Sequence, residues 1–304
     1  MKKHSFKDWV LATRPWSFPA SSMPVVVTIA WAWAKGIDVN WWFALWALVN
    51  IIFVHAAGNV WSDIADYRSG VDADDTFGVR TLVDGQFTED EFRRLSLSLN
   101  AIAIVGGLAL VALLWLTCGL KCAYILLCIG VAGILLSFCY PRLKYNALGD
   151  VVIALCYALL PMTGTSLIVS GSIHWHVLWL AVPVGLITVA ILHANNVRDI
   201  ETDRRAGIST FAMLTGRGLG AKLYAFEVLF PFLWLFGLMA FRIEPWWLLI
   251  AFAALPVAFG NARTILDYEQ GGKESYANLD ERTAKLQLMF SLLLTLALVL
   301  SKFI

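Results

Sequence analysis

Hydrophobic residues in this chain run in long blocks, and polar residues gather in the gaps between them. Nine blocks are nearly free of charge, at approximately 17–34, 41–61, 97–117, 121–140, 147–170, 177–197, 220–241, 245–263 and 285–303. A helix of ~20 apolar residues, rising ~1.5 Å per residue, matches the ~30 Å hydrocarbon core of a bilayer. The pattern therefore predicts an all-α, polytopic membrane protein of nine spanning helices, with residues 1–304 forming one transmembrane domain. Pro161 and Pro183 fall inside predicted spans, where they are expected to kink helices that face a cavity or a neighbour.

The gaps are sorted by charge. Nineteen of the 23 Lys and Arg residues fall in connections on the side of the N-terminus, and only Lys35, Lys121, Arg242 and Lys302 fall on the other. Cytoplasmic loops carry such an excess, so the N-terminus is expected in the cytoplasm. One span more or fewer midway scrambles this sorting. Two connections on the same side are long, about 62–96 and 198–219, and each begins with a polar motif. Because those motifs end spans two and six, the chain reads as two four-helix units, about 15–140 and 147–263, followed by a final helix over 285–303.

Composition narrows the class further. Hydrophobic residues at 59%, charged residues at 15% and a mean hydropathy of +0.71 exclude a soluble domain. The net charge of +1 conceals a polarity across the membrane, whose basic side suits anionic lipid and anionic substrates and implies no nucleic acid. The first apolar block starts well into the chain and is long enough to span, which argues against a cleaved signal peptide. Cys118, Cys122, Cys128, Cys139 and Cys156 lie in or beside spans and read as small buried hydrophobes.

The chemistry resides in two matching phrases. Asn59-Val-Trp-Ser-Asp63-Ile-Ala-Asp66 and Asn195-Asn196-Val-Arg-Asp199-Ile-Glu-Thr-Asp203 both read Asn-x-x-x-Asp with a second Asp three or four residues on. At helical spacing each phrase sets an amide and two carboxylates on one face. Clustered carboxylates repel unless a cation lies among them, and the divalent ion that prefers oxygen donors and phosphate is Mg²⁺. Arg198 and Arg204 flank the second phrase, Arg68 and Arg80 follow the first, and a guanidinium fork matches phosphate oxygens. Tyr140 and Lys144 in the next connection, and Asp150 just inside the following span, share that side of the membrane. His55 and His193 each lie one turn before a motif Asn and read as satisfied interior histidines.

These phrases resemble the UbiA superfamily of intramembrane prenyltransferases, and more closely its 1,4-dihydroxy-2-naphthoate polyprenyltransferases. The opening Arg14-Pro15-Trp16-Ser17-Phe18-Pro19-Ala20 is similar to that subgroup's Arg-Pro-x-x-x-Pro-Ala, Asn59 to Asp72 resembles its first acidic motif, and Asn195 to Gly207 its second. Ile208 stands where a Lys is common in the family, so Arg204, Arg205 or Lys144 has to replace it.

The resemblance implies Mg²⁺ held by Asp63, Asp66, Asp199, Asp203, Asn59 and Asn195, which serve as the catalytic set. It also implies substrate contacts from Arg14, Arg68, Arg80, Tyr140, Lys144, Asp150, Asn196, Arg198 and Arg204. The implied reaction moves a polyprenyl group from its diphosphate to 1,4-dihydroxy-2-naphthoate, a small aromatic acceptor, with loss of carbon dioxide, in menaquinone synthesis. It places the protein among the lipids of a bacterial cytoplasmic (inner) membrane with its site facing the cytoplasm. Rival readings are a 4-hydroxybenzoate or other phenol prenyltransferase, and a cation transporter using intramembrane carboxylates.

Overall fold

The computed structural model describes residues 4–72 and 80–303, apart from the side chain of Lys273. The charges counted at Lys2, Lys3 and Lys273 lie outside what is described. Among the described residues there is no strand, as the apolar blocks predict.

Local chemistry sets the helix ends. Helix α1 (Phe6–Ala12) starts at a capping box in which Ser5 and Asp8 bond each other's backbone N–H. A left-handed turn at Arg14 and a short 3₁₀ turn at Pro15–Ser17 lead into α2 (Pro19–Ala34). Helix α3 (Trp41–Ser69) is capped by Asn40 and stopped by Gly70, whose φ of 72° a side chain would resist. Helix α4 (Glu89–Cys118) opens on a Thr88/Glu91 capping box, and Gly119 at φ 89° turns the chain into α5 (Leu120–Lys144). There follow α6 (Gly149–Ser170), α7 (Trp175–Arg198), α8 (Ile200–Arg205), α9 (Phe211–Ala240), α10 (Trp246–Leu266), α11 (Tyr268–Ser275) and α12 (Leu279–Leu300).

Eight of these, α3 to α7, α9, α10 and α12, are long and apolar enough to cross a bilayer. The ninth expected span corresponds to α2, whose 16 residues extend only about 24 Å. Helix α2 nevertheless runs from one end of the bundle to the other. Arg14 before its start pairs with Asp63 near the end of α3, and Lys35 just after it pairs at 2.9 Å with Glu244 in the α9–α10 connection. Several helices also outrun their apolar blocks: α3 continues to Ser69 rather than 61, α4 begins at Glu89 rather than 97, and α9 at Phe211 rather than 220. Apolar length measures the lipid, whereas caps and breaker residues decide where a helix stops. Both acidic phrases consequently sit on helix rather than in loop.

Helix α7 is the axis of the bundle. Two thirds of its apolar window is buried, against 17% for α4 and 11% for α5, which therefore present most of their surface to lipid. The main core joins α7 to α2, α9, α10 and α12 through Leu180, Ile187, Tyr224, Phe290 and Leu294. Packing is sparser on the α3–α6 side. In α6 the turn Leu155–Leu159 widens to a π turn just before Pro161, which has no N–H to give and whose ring crowds the carbonyl of Tyr157 four residues earlier. Tyr157 lines the cavity described next.

Candidate active site

The two acidic phrases, 136 residues apart in sequence, meet at one end of a single cavity of about 910 Å³. Asn59, Asp66 and Asp72 reach it from α3 and the turn after it. Asn195, Asn196, Arg198, Asp199 and Asp203 reach it from the junction of α7 and α8. That junction bends little: the N–H of Asp199 bonds the carbonyl of Asn195, and the N–H of Asp203 that of Asp199, so 195, 199 and 203 keep a common face. A short bridge between Asn146 and Ser209 ties the α5–α6 and α8–α9 connections together and carries Lys144 and Tyr145 to the acidic end.

Three of the carboxylates there are answered by protein groups. Asp63 accepts from Arg14, and Asp66 accepts from Lys144 Nζ at 3.2 and 3.3 Å and from the Tyr145 hydroxyl at 2.7 Å. Arg198 bonds Asp199 at 2.8 and 2.9 Å, Asp280 at 2.9 Å, the Ala277 carbonyl at 3.0 Å, and Asn195. The cations do not suffice. Burial, with Asp66 and Asp199 nearby, pushes Asp72 up to about 6, and burial with Asp199 and Asp66 nearby pushes Asp203 up to about 7. Asp63 Oδ2 is buried with no hydrogen-bond partner.

Crowded hard-oxygen donors with idle valence fit a divalent cation. Among the described residues no three Asp, Glu, His or Cys side chains converge as ligands.

The sequence-predicted residues divide into two sets. Arg14, Asn59, Asp66, Tyr140, Lys144, Asn195, Asn196, Arg198, Asp199 and Asp203 line the cavity, and Asp63 lies just behind Arg14. Arg68, Arg80, Arg204 and Asp150 do not. Arg68 turns to Glu89 at the start of α4, Arg80 to Asp84 at 2.7 Å, and Arg204 is exposed. Asp150 has both carboxylate oxygens buried away from any partner. Of the three groups offered to replace the missing Lys at position 208, Lys144 occupies the cavity, while Arg204 and Arg205 are exposed.

Sequence reasoning missed Asp280, Tyr145, Ser17 and Ser21. Asp280 precedes the final helix predicted over 285–303 and repeats neither acidic phrase, and hydroxyls beside a proline carry no signal until the turn that holds them is seen. His55 is an interior histidine satisfied on both ring nitrogens, by Ser21 at 2.8 Å and Ser17 at 3.3 Å. His193 bonds Glu227 through Nδ1 at 2.9 Å and leaves Nε2 buried without a partner, outside the cavity.

Away from the acidic end the cavity turns apolar. Leu110, Leu126, Ile134 and Ile168 line it, and Ala47 lies some 28 Å from Asp66 along the α3 axis. Tyr157 meets His55 edge-on with centroids 4.8 Å apart near the polar end.

The chain and its fold are similar to known proteins. Residues 22–288 match the UbiA prenyltransferase family. The chain is 34% identical to the UbiA prenyltransferase domain-containing protein 1 homolog of Drosophila melanogaster, over 96% of this chain and 79% of that one. It is 33% identical to the human UbiA prenyltransferase domain-containing protein 1, over 97% and 84%.

The fold is similar to the apo structure of a UbiA homolog from Aeropyrum pernix K1, with a TM-score of 0.65 and 16% identity over 93% of this chain and 97% of that one. It is also similar to a UbiA homolog from Archaeoglobus fulgidus bound to GPP and Mg²⁺, with a TM-score of 0.59 and 14% identity over 97% and 99%. With the family pattern spanning most of the chain and the acidic phrases meeting in one membrane cavity, this integral membrane enzyme belongs to the UbiA prenyltransferase family.

Proposed function

We propose that the chain transfers a polyprenyl group from polyprenyl diphosphate to 1,4-dihydroxy-2-naphthoate, with Mg²⁺ as cofactor and loss of carbon dioxide. One observation carries this reading: the acidic phrases share a cavity whose remainder is a long apolar channel, so one compartment suits both a diphosphate and its isoprenoid tail. A cation path needs no such channel.

Asp66, Asp199 and Asp203, with Asp63 and the oxygens of Asn59 and Asn195, are the groups to hold Mg²⁺. When bound, Mg²⁺ neutralises the departing diphosphate. Lys144 and Arg198 add fixed positive charge around the same oxygens. The allylic C–O bond breaks with its electron pair going to diphosphate, and the aromatic faces of Tyr140 and Tyr157 stand nearby to stabilise the allyl cation. Aliphatic walls keep water from that cation.

The acceptor fits beside Ser17, His55 and Tyr157. Its ring carbon bearing the carboxylate forms the new C–C bond, and the carboxylate departs as carbon dioxide, returning its electron pair to the ring. That sequence needs no protein base, in keeping with a His55 whose two nitrogens are already engaged. A benzoate that loses a ring proton does need an acceptor for it. The Arg14-Pro15 opening supports the same subgroup.

The sorting of 19 of 23 basic residues supports a cytoplasmic N-terminus and acidic end. The relatives reported above are animal proteins and give a bacterial membrane no support.

Two measurements test the substrates. Membranes containing the protein, given one prenyl donor with either acceptor, should prenylate 1,4-dihydroxy-2-naphthoate; product from 4-hydroxybenzoate alone overturns the acceptor assignment. For the donor, Gly133 lines the channel and a Cβ there meets nothing within 4 Å. Gly133→Leu should therefore fold normally, accept short donors and lose long ones by about tenfold or more in kcat/KM. Unchanged discrimination between short and long donors places the tail elsewhere.

A further inference from the structure

Three residues on one face of α3, His55, Asn59 and Asp63, at successive intervals of four, all bond the turn before α2 or the first turn of α2, and His55 and Asn59 do so at the cavity wall. Asn59 Nδ2 donates to the Thr13 carbonyl at 2.9 Å and to Ser17 Oγ at 2.9 Å. Ser17 Oγ spends its own proton on the Arg14 carbonyl at 2.8 Å, so its 3.3 Å contact with His55 must be a bond donated by His55 Nε2–H. His55 Nδ1 is then the acceptor for Ser21 Oγ at 2.8 Å.

This clip holds Arg14 at φ 56° and ψ 60°, a left-handed conformation that a non-glycine residue adopts only when its surroundings impose it. The outcome of the strain is the contact between Arg14 Nη2 and Asp63 Oδ1.

That contact is half made. Arg14 Nε and Asp63 Oδ2 are both buried with no hydrogen-bond partner, so fork and carboxylate meet through one prong only. A structural ion pair in such surroundings gains by closing both prongs. Here the guanidinium lines the cavity and the carboxylate lies behind it.

We propose that Arg14 is an exchangeable counter-ion of the first acidic phrase: it holds Asp63 in place of metal, and on metal entry releases Asp63 and turns its guanidinium to the substrate's diphosphate. The proposal rests on the function proposed above and deepens it. It makes the cation and the anion bind synergistically, because Arg14 serves whichever acid the metal leaves to it. The clip from His55, Asn59 and Ser17 keeps the turn in place while only the side chain moves. Ser17 and His55 are positioning residues in this scheme.

The test is binding rather than turnover, on the full chain in detergent. Mn²⁺ stands in for Mg²⁺ and is followed by electron paramagnetic resonance; inorganic pyrophosphate stands in for the donor. Arg14→Gln should bind Mn²⁺ alone about tenfold more tightly than the unaltered protein, because a competing cation is gone. In the presence of Mg²⁺ the same variant should bind pyrophosphate about tenfold more weakly. Ser17→Ala, which keeps both charges and loosens the turn, should shift both affinities in the same directions by less, and Arg14→Lys should fall between. Weaker or unchanged Mn²⁺ binding by Arg14→Gln overturns the proposal, as does pyrophosphate binding that ignores Arg14. If the unaltered protein binds no Mn²⁺ even with pyrophosphate, it is the metal and diphosphate reading that fails, and this proposal goes with it.

Discussion

Asp199→Ala and Asp63→Ala should each lower turnover by about a thousandfold or more, since each removes an oxygen donor from the set that neutralises the leaving group. The two variants should differ in stability. Arg198 keeps Asp280, Ala277 and Asn195 when Asp199 is lost, so that protein should insert, purify and unfold near the original temperature. Removing Asp63 strips Arg14 of its ion-pair partner in a strained turn, and a larger drop in melting temperature should accompany the lost activity. Asp63→Asn restores a neutral acceptor for Arg14 and should recover stability without activity. Turnover retained in both alanine variants contradicts a catalytic role for the two phrases.

Chelation is the second large effect. A chelator should stop product formation, and Mg²⁺ added in excess should restore it; activity indifferent to the chelator removes the metal from the scheme. The pH dependence of the metal-free protein sharpens this expectation.

Asp72 and Asp203 lie at about 6 and about 7 in the fold, above the ordinary carboxylate value of 3.8. The folded state therefore holds protons that the unfolded chain releases. This contribution to stability is fully present below about pH 4 and is lost as pH rises through 6 and 7. In chelator the melting temperature should fall between pH 5 and pH 8. Excess Mg²⁺ should reverse that slope, because the ion replaces the protons. A melting curve in chelator that is flat or rises over this range means that the two carboxylates are not crowded as the structure indicates.

How much of this was legible in the sequence differs from residue to residue. The apolar blocks located eight spans and their order because lipid imposes length and hydrophobicity on each segment separately. Block ends misplaced the starts of α4 and α9 by rather more than two turns of helix, since a capping box at Thr88 acts on the backbone whatever the hydropathy and α9 has a first turn, from Phe211, ahead of a break at Gly216.

The acidic phrases were legible because they repeat, and helical spacing fixes a common face within each. The arginines were less so. Arg68, Arg198 and Arg204 carry identical guanidinium groups at comparable distances from a motif, yet only Arg198 reaches the cavity. Arg68 finds Glu89 across the intervening loop, and Arg204 points off the short helix α8.

The sequence by itself determined what each segment tolerates: which stretches belong in lipid, which face of a helix is acidic, and which side of the membrane is basic. Those properties depend on neighbours within about two turns of helix. Only the tertiary structure decided which charges answer one another. Arg14 and Asp63 are 49 residues apart, Lys144 and Asp66 are 78 apart, and Arg198 and Asp280 are 82 apart. Such pairs form between segments that only the folded bundle brings together, and an isolated charge in a sequence carries no information about what faces it across the bundle.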